Sequence, residues 1–330
     1  METIIVTGSS GFIGYSLSKY LLDRGYCVIG IDIHNGEGVL KKLQNARHDQ
    51  LAQYEHFISI HRDLAESISD LTTYFEKSSC VVHLAATAGV RNSNKNPSEY
   101  IRNNVVAFSN VIELALQSNI QHFIFASSSS VYGDISIPID GVTEDLSHGE
   151  IRSVYAMTKK MNEIEAYLLS STTNMKITGL RFFSVYGPFG RPDMAPWIFL
   201  NSIIFNQPIT LYDEGSLKRD FTYIDDVVHS IYKVLTKNRE SQFELYNIGC
   251  SSPQTVISLL HCIESILGKT AIVSFVSREP ADVIQTFANM SKYKKDYGEL
   301  SKSYFREMES GIKDFCMWFC KFKESLDLIN

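Results

Sequence analysis

"TIIVTGSSGFIG", residues 3–14, decides the fold. The apolar run Ile4–Val6 stops at Gly8, and the amphipathic stretch "FIGYSLSKYLL" begins at Phe12. A short buried strand passing at once into a helix opens a strand–helix–strand unit. Gly8, Gly11 and Gly14 lie at the junction, where glycine lets backbone approach a ligand and a helix N-terminus favours negative charge. The pattern points to a turn that holds a pyrophosphate. Asp32 closes the next apolar run, "CVIGID", where a carboxylate bonds the hydroxyls of a ribose and repels a 2′-phosphate. NAD is expected there rather than NADP.

The pattern then repeats. "FISIH", "CVVHLAA" and "HFIFASS" read as further buried strands, and "EYIRNNVVAFSNVIELALQSN" between them has helical spacing. Another helix around "SVYAMTKKMNEIEAYLLS" leads to a strand at "MKITGLRFF". This alternation predicts an α/β fold: a Rossmann-type, doubly wound parallel sheet with a smaller C-terminal substrate-binding domain. Beyond Tyr186 the texture breaks at Gly187, Pro188, Gly190 and Pro192; "ELYNIG" is expected to rejoin the sheet, and roughly 303–325 to form one amphipathic helix. The cofactor domain is expected to comprise 1–184 plus about 221–250. The remainder, about 185–220 and 251–330, is assigned to the smaller substrate-binding domain.

Bulk properties narrow the function. The 330 residues are 44% apolar and 21% charged, with net charge −6, so nothing in the charge balance draws the chain to nucleic acid or anionic membrane. No run approaches the length of a spanning helix, and no charged-then-apolar leader follows Met1, so a cytoplasmic protein is expected. The six cysteines are scattered, which suits free thiols. Cys316 and Cys320 stand four apart with no further ligands nearby, so no metal is expected.

Two motifs carry chemistry. In "SVYAMTKK", Tyr155 and Lys159 share a helix face, where an ammonium near a phenol favours phenolate and equips it as a general base on an alcohol. In "FIFASSSSVYG", Ser127, Ser128, Ser129 and Ser130 follow one another where a strand runs out. Such a run is either a polar turn or a pocket wall binding several oxygens.

With these residues in place, the chain resembles the extended short-chain dehydrogenase/reductases nearly end to end, and more narrowly the UDP-glucuronate 4-epimerases. The resemblance is carried by "HLAATAGVR" (83–91), "ASSSSVYG" (126–133), "YAMTKK" (155–160), "LRFFSVYGPFGRPDMAP" (180–196), "KRDFTYIDD" (218–226) and "YNIGCSSP" (246–253). It implies Ser128, Tyr155 and Lys159 as catalytic residues. Beside Gly8, Gly11, Gly14 and Asp32, it implies cofactor contacts at Phe12, Ile13, Asp63, Leu64, Ala85, Ala86, Asn104, Tyr155 and Lys159. It places Arg91, Ser128, Ser129, Ser130, Ser184, Arg191, Arg219, Asn247 and Asp282 on a UDP-hexuronate, and it implies a homodimer paired through roughly 97–117 and 154–170. The chain departs from the family in "DIHNGEGV" (32–39), in Ala281 for glycine, in Ser184 for threonine and in Phe189 for tryptophan.

The implied chemistry is oxidation of the sugar at C4, rotation of the 4-keto sugar and re-reduction on its other face. Ser128 would align the C4 oxygen with Tyr155, and Ser129, Ser130 and Ser184 would hold the uronate carboxylate. Related 4,6-dehydratases and decarboxylases carry acids where Ser129 and Ser130 stand, and neutral-sugar epimerases usually place asparagine at Ser184. The alternatives are a UDP-glucuronate decarboxylase, an epimerase of another UDP-sugar, and a non-catalytic nucleotide-sugar sensor.

Overall fold

The computed structural model describes residues 1–237, 240–280, 282–298 and 305–323. Seven strands form one parallel sheet: β1 (Thr3–Thr7), β2 (Cys27–Asp32), β3 (Phe57–His61), β4 (Cys80–His83), β5 (His122–Ser128), β6 (Lys176–Phe182) and the strand Phe243–Ile248. The last of these, read as "ELYNIG", pairs in parallel with β6 at one edge. The spatial order is Phe243–Ile248, β6, β5, β4, β1, β2, β3, so the chain reverses direction across the sheet between β1 and β4. Ligands of such sheets bind at the C-terminal strand ends beside that switch point.

The strands alternate two apolar faces. Ile4, Val6, Val82 and Ile124 pack on one side with Phe12, Tyr15, Leu43 and Val227 from the helices Phe12–Leu22, Gly38–Leu51 and Ile224–Thr236. Ile5, Val81, Phe123 and Phe125 pack on the other with Phe108, Val111 and Ala166 from Ala107–Gln117 and Val154–Ser170. Helices cover both faces, which is why these strands are apolar at successive positions. β3 departs from the expected buried strand: it is the far edge, and Ile58 is 41% exposed.

β5, β6 and Val154–Ser170 are joined by one buried ion pair. Arg181 on β6 donates to Glu163 on the helix through Nε (2.8 Å) and Nη2 (2.9 Å), and Ser127 on β5 donates to Glu163 at 2.6 Å. Burial alone would raise the Glu163 carboxyl, but Arg181 holds it below its ordinary value.

The remaining elements are short. Ser184–Tyr186 pairs with Phe221–Tyr223, Lys218–Arg219 with Gln254–Thr255, and Pro208–Tyr212 with Ile272–Val276. The tail helix is Met308–Phe322, seating Phe315 and Phe319 against Trp197. Ala281, the departure from the family's glycine, lies outside the described residues, as do both ends of the expected 303–325 helix.

Removing one partner of a buried pair leaves an uncompensated charge, a loss of about 3–5 kcal/mol. Arg181→Met should lower unfolding stability by that order in urea titrations, and Glu163→Gln added to it should recover part of the loss. Unchanged stability in Arg181→Met would contradict this role.

Candidate active site

The turn after β1 tolerates no side chain at its glycines. Gly8 has φ +69°, and a Cβ on it would stand 2.8 Å from the Ala85 nitrogen; a Cβ on Gly14 would stand 2.0 Å from the Gly8 carbonyl oxygen. Thr7 fixes the opposing loop: its hydroxyl accepts the Leu84 and Ala85 N–H groups, each at 3.1 Å, and bonds His83 Nδ1 at 3.0 Å. Burial and the Lys159 charge drive the His83 pKa down to about 3, so its ring stays neutral.

A groove opens beside this turn, lined by Gly8, Gly11, Phe12, Ile13, Gly14 and Ala86 and leading to Tyr155 and Lys159. Its other end is lined by Asp32, Asp63, Leu64 and Ala85. The Asp32 carboxylate accepts the Ser10 and His34 N–H groups, each at 2.9 Å, and a carboxylate so bonded has lone pairs left for a hydroxyl. Asp63 accepts the Ala65 N–H at 2.9 Å and pairs with Arg102.

At the far end of the groove stand the three reactive side chains. Ser128 accepts the Ser130 N–H and donates to the Ser130 hydroxyl, each at 3.1 Å, and it stands beside the Tyr155 phenol. Tyr155 and Lys159 lie on Val154–Ser170, capped by the Ser153 hydroxyl, which accepts the Ala156 N–H at 3.1 Å. Lys159 donates to the Ala126 carbonyl at 2.9 Å, and burial lowers its pKa to about 8. The expected lowering of the phenol by Lys159 is not found: the net shift is upward. Burial raises the Tyr155 pKa, and the groups that lower it are Ser128 and the Arg191 guanidinium rather than Lys159.

A second cavity meets the groove at Ser128, Tyr155 and Arg191. Ser129, Ser130, Ser184, Arg91, Arg219 and Asp282 line it. The two carboxylates that line it among the described residues are both engaged: Asp282 with Arg91 at 2.6 Å and Asp193 with Arg191. Arg91 also lies over the Tyr212 ring at 4.1 Å. Arg219 donates to the backbone carbonyls of Lys218 (2.9 Å) and Ile284 (3.4 Å), and no carboxylate among the described residues pairs with it. Asp220 beside it is buried and ties three backbone segments together, accepting N–H groups from Cys250, Ser251 and Ala288.

A model of the NAD dependent epimerase/dehydratase family matches residues 4–249. The chain belongs to that family. It is 34% identical over 333 residues to a UDP-glucuronate 4-epimerase of Thermodesulfobacterium geofontis, covering 100% of this chain and 99% of that one. It is 37% identical over 337 residues to protein CapI of Staphylococcus aureus, covering 97% and 98%. Among solved structures, the UDP-glucuronic acid 4-epimerase of Bacillus cereus, determined with UDP-glucuronic acid and NAD, superposes with TM-score 0.90 at 30% identity over 97% of this chain and 99% of the other.

Within this epimerase/dehydratase frame, two expected site residues stand elsewhere. Asn247 is fully buried: it accepts from the Tyr132 hydroxyl at 2.7 Å and donates to the carbonyls of Val142 (2.8 Å) and Asn289 (3.2 Å), so it ties loops together and lines neither cavity. Asn104, in a π-helical turn (Arg102–Val106), is 1% exposed and grips the Thr87 backbone and the Thr158 hydroxyl; it sets the groove wall without forming it. Ser127, the first of the serine run, serves Glu163 and the ion pair. Arg47 is a groove residue that motif reading missed. The signal was present, because Arg47 interrupts the buried i, i+4, i+8 stripe Leu43, Arg47, Leu51.

Lys159 supplies a pH test. Burial disfavours its ammonium, so between the folded value near 8 and the ordinary value the unfolded chain holds the extra proton, and this residue's contribution to stability grows as pH rises across that window. Nitrogen-15 NMR of lysine-labelled, nucleotide-free protein should show one amine titrating near pH 8, absent in Lys159→Met. A full set of amines with ordinary lysine values would contradict it.

Proposed function

We propose that this chain interconverts UDP-glucuronate and UDP-galacturonate, with NAD bound along the Gly8–Gly14 groove and the nucleotide sugar in the second cavity. The observation that carries the reading is the junction itself. Ser128 and Tyr155 stand where the two cavities meet, with Lys159 on the groove side, and among the described residues the acids lining the sugar side are held by arginines. The residues suit a dinucleotide: a cradle that excludes any Cβ, a helix N-terminus, and a carboxylate with room for ribose hydroxyls.

NAD held by Gly8, Gly11, Gly14 and Asp32 would supply a reversible hydride acceptor for the sugar's C4. The protein's part is proton control and grip. Ser128 would hold the C4 oxygen against Tyr155, which acts as the phenolate that Ser128 and the Arg191 charge favour: it takes the hydroxyl proton, becoming the phenol, and gives it back on re-reduction. Arg219, without a carboxylate partner, and Arg191 hold the diphosphate, so the sugar turns about a fixed end.

A uronate oxidised at C4 is a β-keto acid. It loses CO₂ when the bond to its carboxylate aligns with the carbonyl π system. Ser129, Ser130 and Ser184 are neutral donors that hold the carboxylate in another plane. Both acids that line the sugar cavity among the described residues, Asp193 and Asp282, are ion-paired, which favours epimerisation over decarboxylation.

The active protein is proposed to be a cytoplasmic homodimer. No helix among the described residues is long and apolar enough to cross a membrane. Met161, Ile164 and Leu168 run along one exposed stripe of Val154–Ser170, beside exposed Ile101 and Val106, and Leu168 is 60% exposed. That face matches the helices through which the family pairs. Light scattering at micromolar concentration should give twice the chain mass, and Ile164→Glu/Leu168→Glu should give the single-chain mass. A monomeric parent protein would refute the pairing.

Incubation with UDP-glucuronate and NAD⁺, followed by chromatography, should yield UDP-galacturonate of unchanged mass. Tyr155→Phe should cut turnover by orders of magnitude with the thermal melt preserved. Ser130→Ala and Ser184→Ala should each lose roughly ten- to a hundredfold, from about 1.5–3 kcal/mol per hydrogen bond to a charged group, and should raise the UDP-pentose fraction. UDP-pentose as the main product of the parent protein would overturn the reading in favour of a decarboxylase.

A further inference from the structure

Arg47 and Arg181 are the largest fully buried side chains among the described residues. Arg181 has Glu163, whereas no carboxylate among the described residues forms an ion pair with Arg47. Its Nη1 donates to the Ser10 carbonyl at 2.9 Å, its Nη2 to the Phe189 carbonyl at 2.6 Å, and its Nε has no partner. Burial lowers its pKa to about 10, with the Asp32 and Tyr15 charges opposing that fall and Arg191 adding to it, so the guanidinium is charged at neutral pH. A buried charge without a counter-ion is unfavourable, and folded proteins keep one where a ligand supplies the missing partner.

The place of Arg47 names that partner. It lines the same stretch of groove as Gly11, Gly14 and the first turn of Phe12–Leu22, where backbone N–H groups already favour an anion. Its second anchor belongs to the other half of the site. Phe189 has φ +60°, stands two residues before Arg191, and seats its ring 4.9 Å from both Tyr15 and Trp318. One guanidinium thus grips the glycine-rich turn and the segment that presents Arg191 to the sugar side.

We propose that Arg47 is the counter-charge of the cofactor's diphosphate, and that by holding the Phe189 carbonyl it couples cofactor retention to the segment carrying Arg191. The inference rests on the NAD reading above. Occupation of the sugar side by a nucleotide diphosphate fixes Arg191 and its segment, which fixes Arg47, and linkage makes the coupling reciprocal.

The test is calorimetric titration of nucleotide-free protein with ADP-ribose, which carries the diphosphate, and with adenosine, which does not. Each is run with and without UDP on the parent protein, Arg47→Gln and Arg47→Lys. In Arg47→Gln, ADP-ribose affinity should fall by about tenfold or more, as for a lost charged hydrogen bond, while adenosine affinity stays within about twofold. UDP should tighten ADP-ribose binding to the parent and leave Arg47→Gln unchanged. Arg47→Lys keeps the charge but cannot reach both carbonyls, so it should retain much of the ADP-ribose affinity and lose the effect of UDP; it carries the test should Arg47→Gln not fold. Equal losses for both probes, or unchanged ADP-ribose affinity in Arg47→Gln, would overturn the counter-charge. Absence of a UDP effect in the parent, or its persistence in Arg47→Lys, would overturn the coupling. A parent protein that binds neither probe would instead sink the NAD reading.

Discussion

The Glu163–Arg181 pair sets the distances on which the chemistry depends. It sits directly behind the serine run, joining the strand that ends in Ser128, the neighbouring strand, and the helix that carries Tyr155 and Lys159. A hydroxyl and a phenol must meet within hydrogen-bond reach of one sugar oxygen, and they come from elements far apart in sequence. Packing of apolar faces alone would leave the helix free to slide along the sheet. The bidentate pair, with Ser127 as a third contact, specifies one register. Buried ion pairs add little net stability compared with apolar packing, so specificity of position is the better account of this one.

From that fixed junction the site extends in two directions with different physics. Toward β1 and β2 it is a backbone cradle: glycines at which a Cβ would collide with neighbouring main chain, and a carboxylate whose oxygens are oriented by N–H donors. Toward the smaller elements it is a cavity of arginines and neutral hydroxyls, with its acids committed to ion pairs. A reaction that removes a hydride and returns it to the opposite face needs this asymmetry. One ligand must be held still along its whole length, and the other gripped at one end only. Arg47 and Arg191 lie where the two regimes meet.

Much of this was legible in the sequence because it is local. The glycine turn, the Tyr155–Lys159 spacing and the strand–helix alternation are each written within a few residues. What was not legible depends on burial and on partners distant in the chain. Asn247 and Asn104 lie in recognisable motifs, yet both are enclosed and bonded to protein. The serine run hid a division of labour set by strand alternation. Ser127 shares its side of β5 with Phe123 and Phe125 and spends its hydroxyl on Glu163, whereas Ser128 alternates to the other side and lines the sugar cavity. Arg47 carries no motif, and only its place in the stripe between Leu43 and Leu51 betrays it.

The central claim is that one hydride leaves C4 and comes back while the carboxylate stays. UDP-glucuronate deuterated at C4, turned over in ordinary water with catalytic NAD⁺, tests it in a single mass and NMR measurement. UDP-galacturonate that keeps the deuterium at C4, with all carbons retained, is the result the account predicts. Deuterium lost to solvent, or a UDP-pentose formed with release of CO₂, would contradict it.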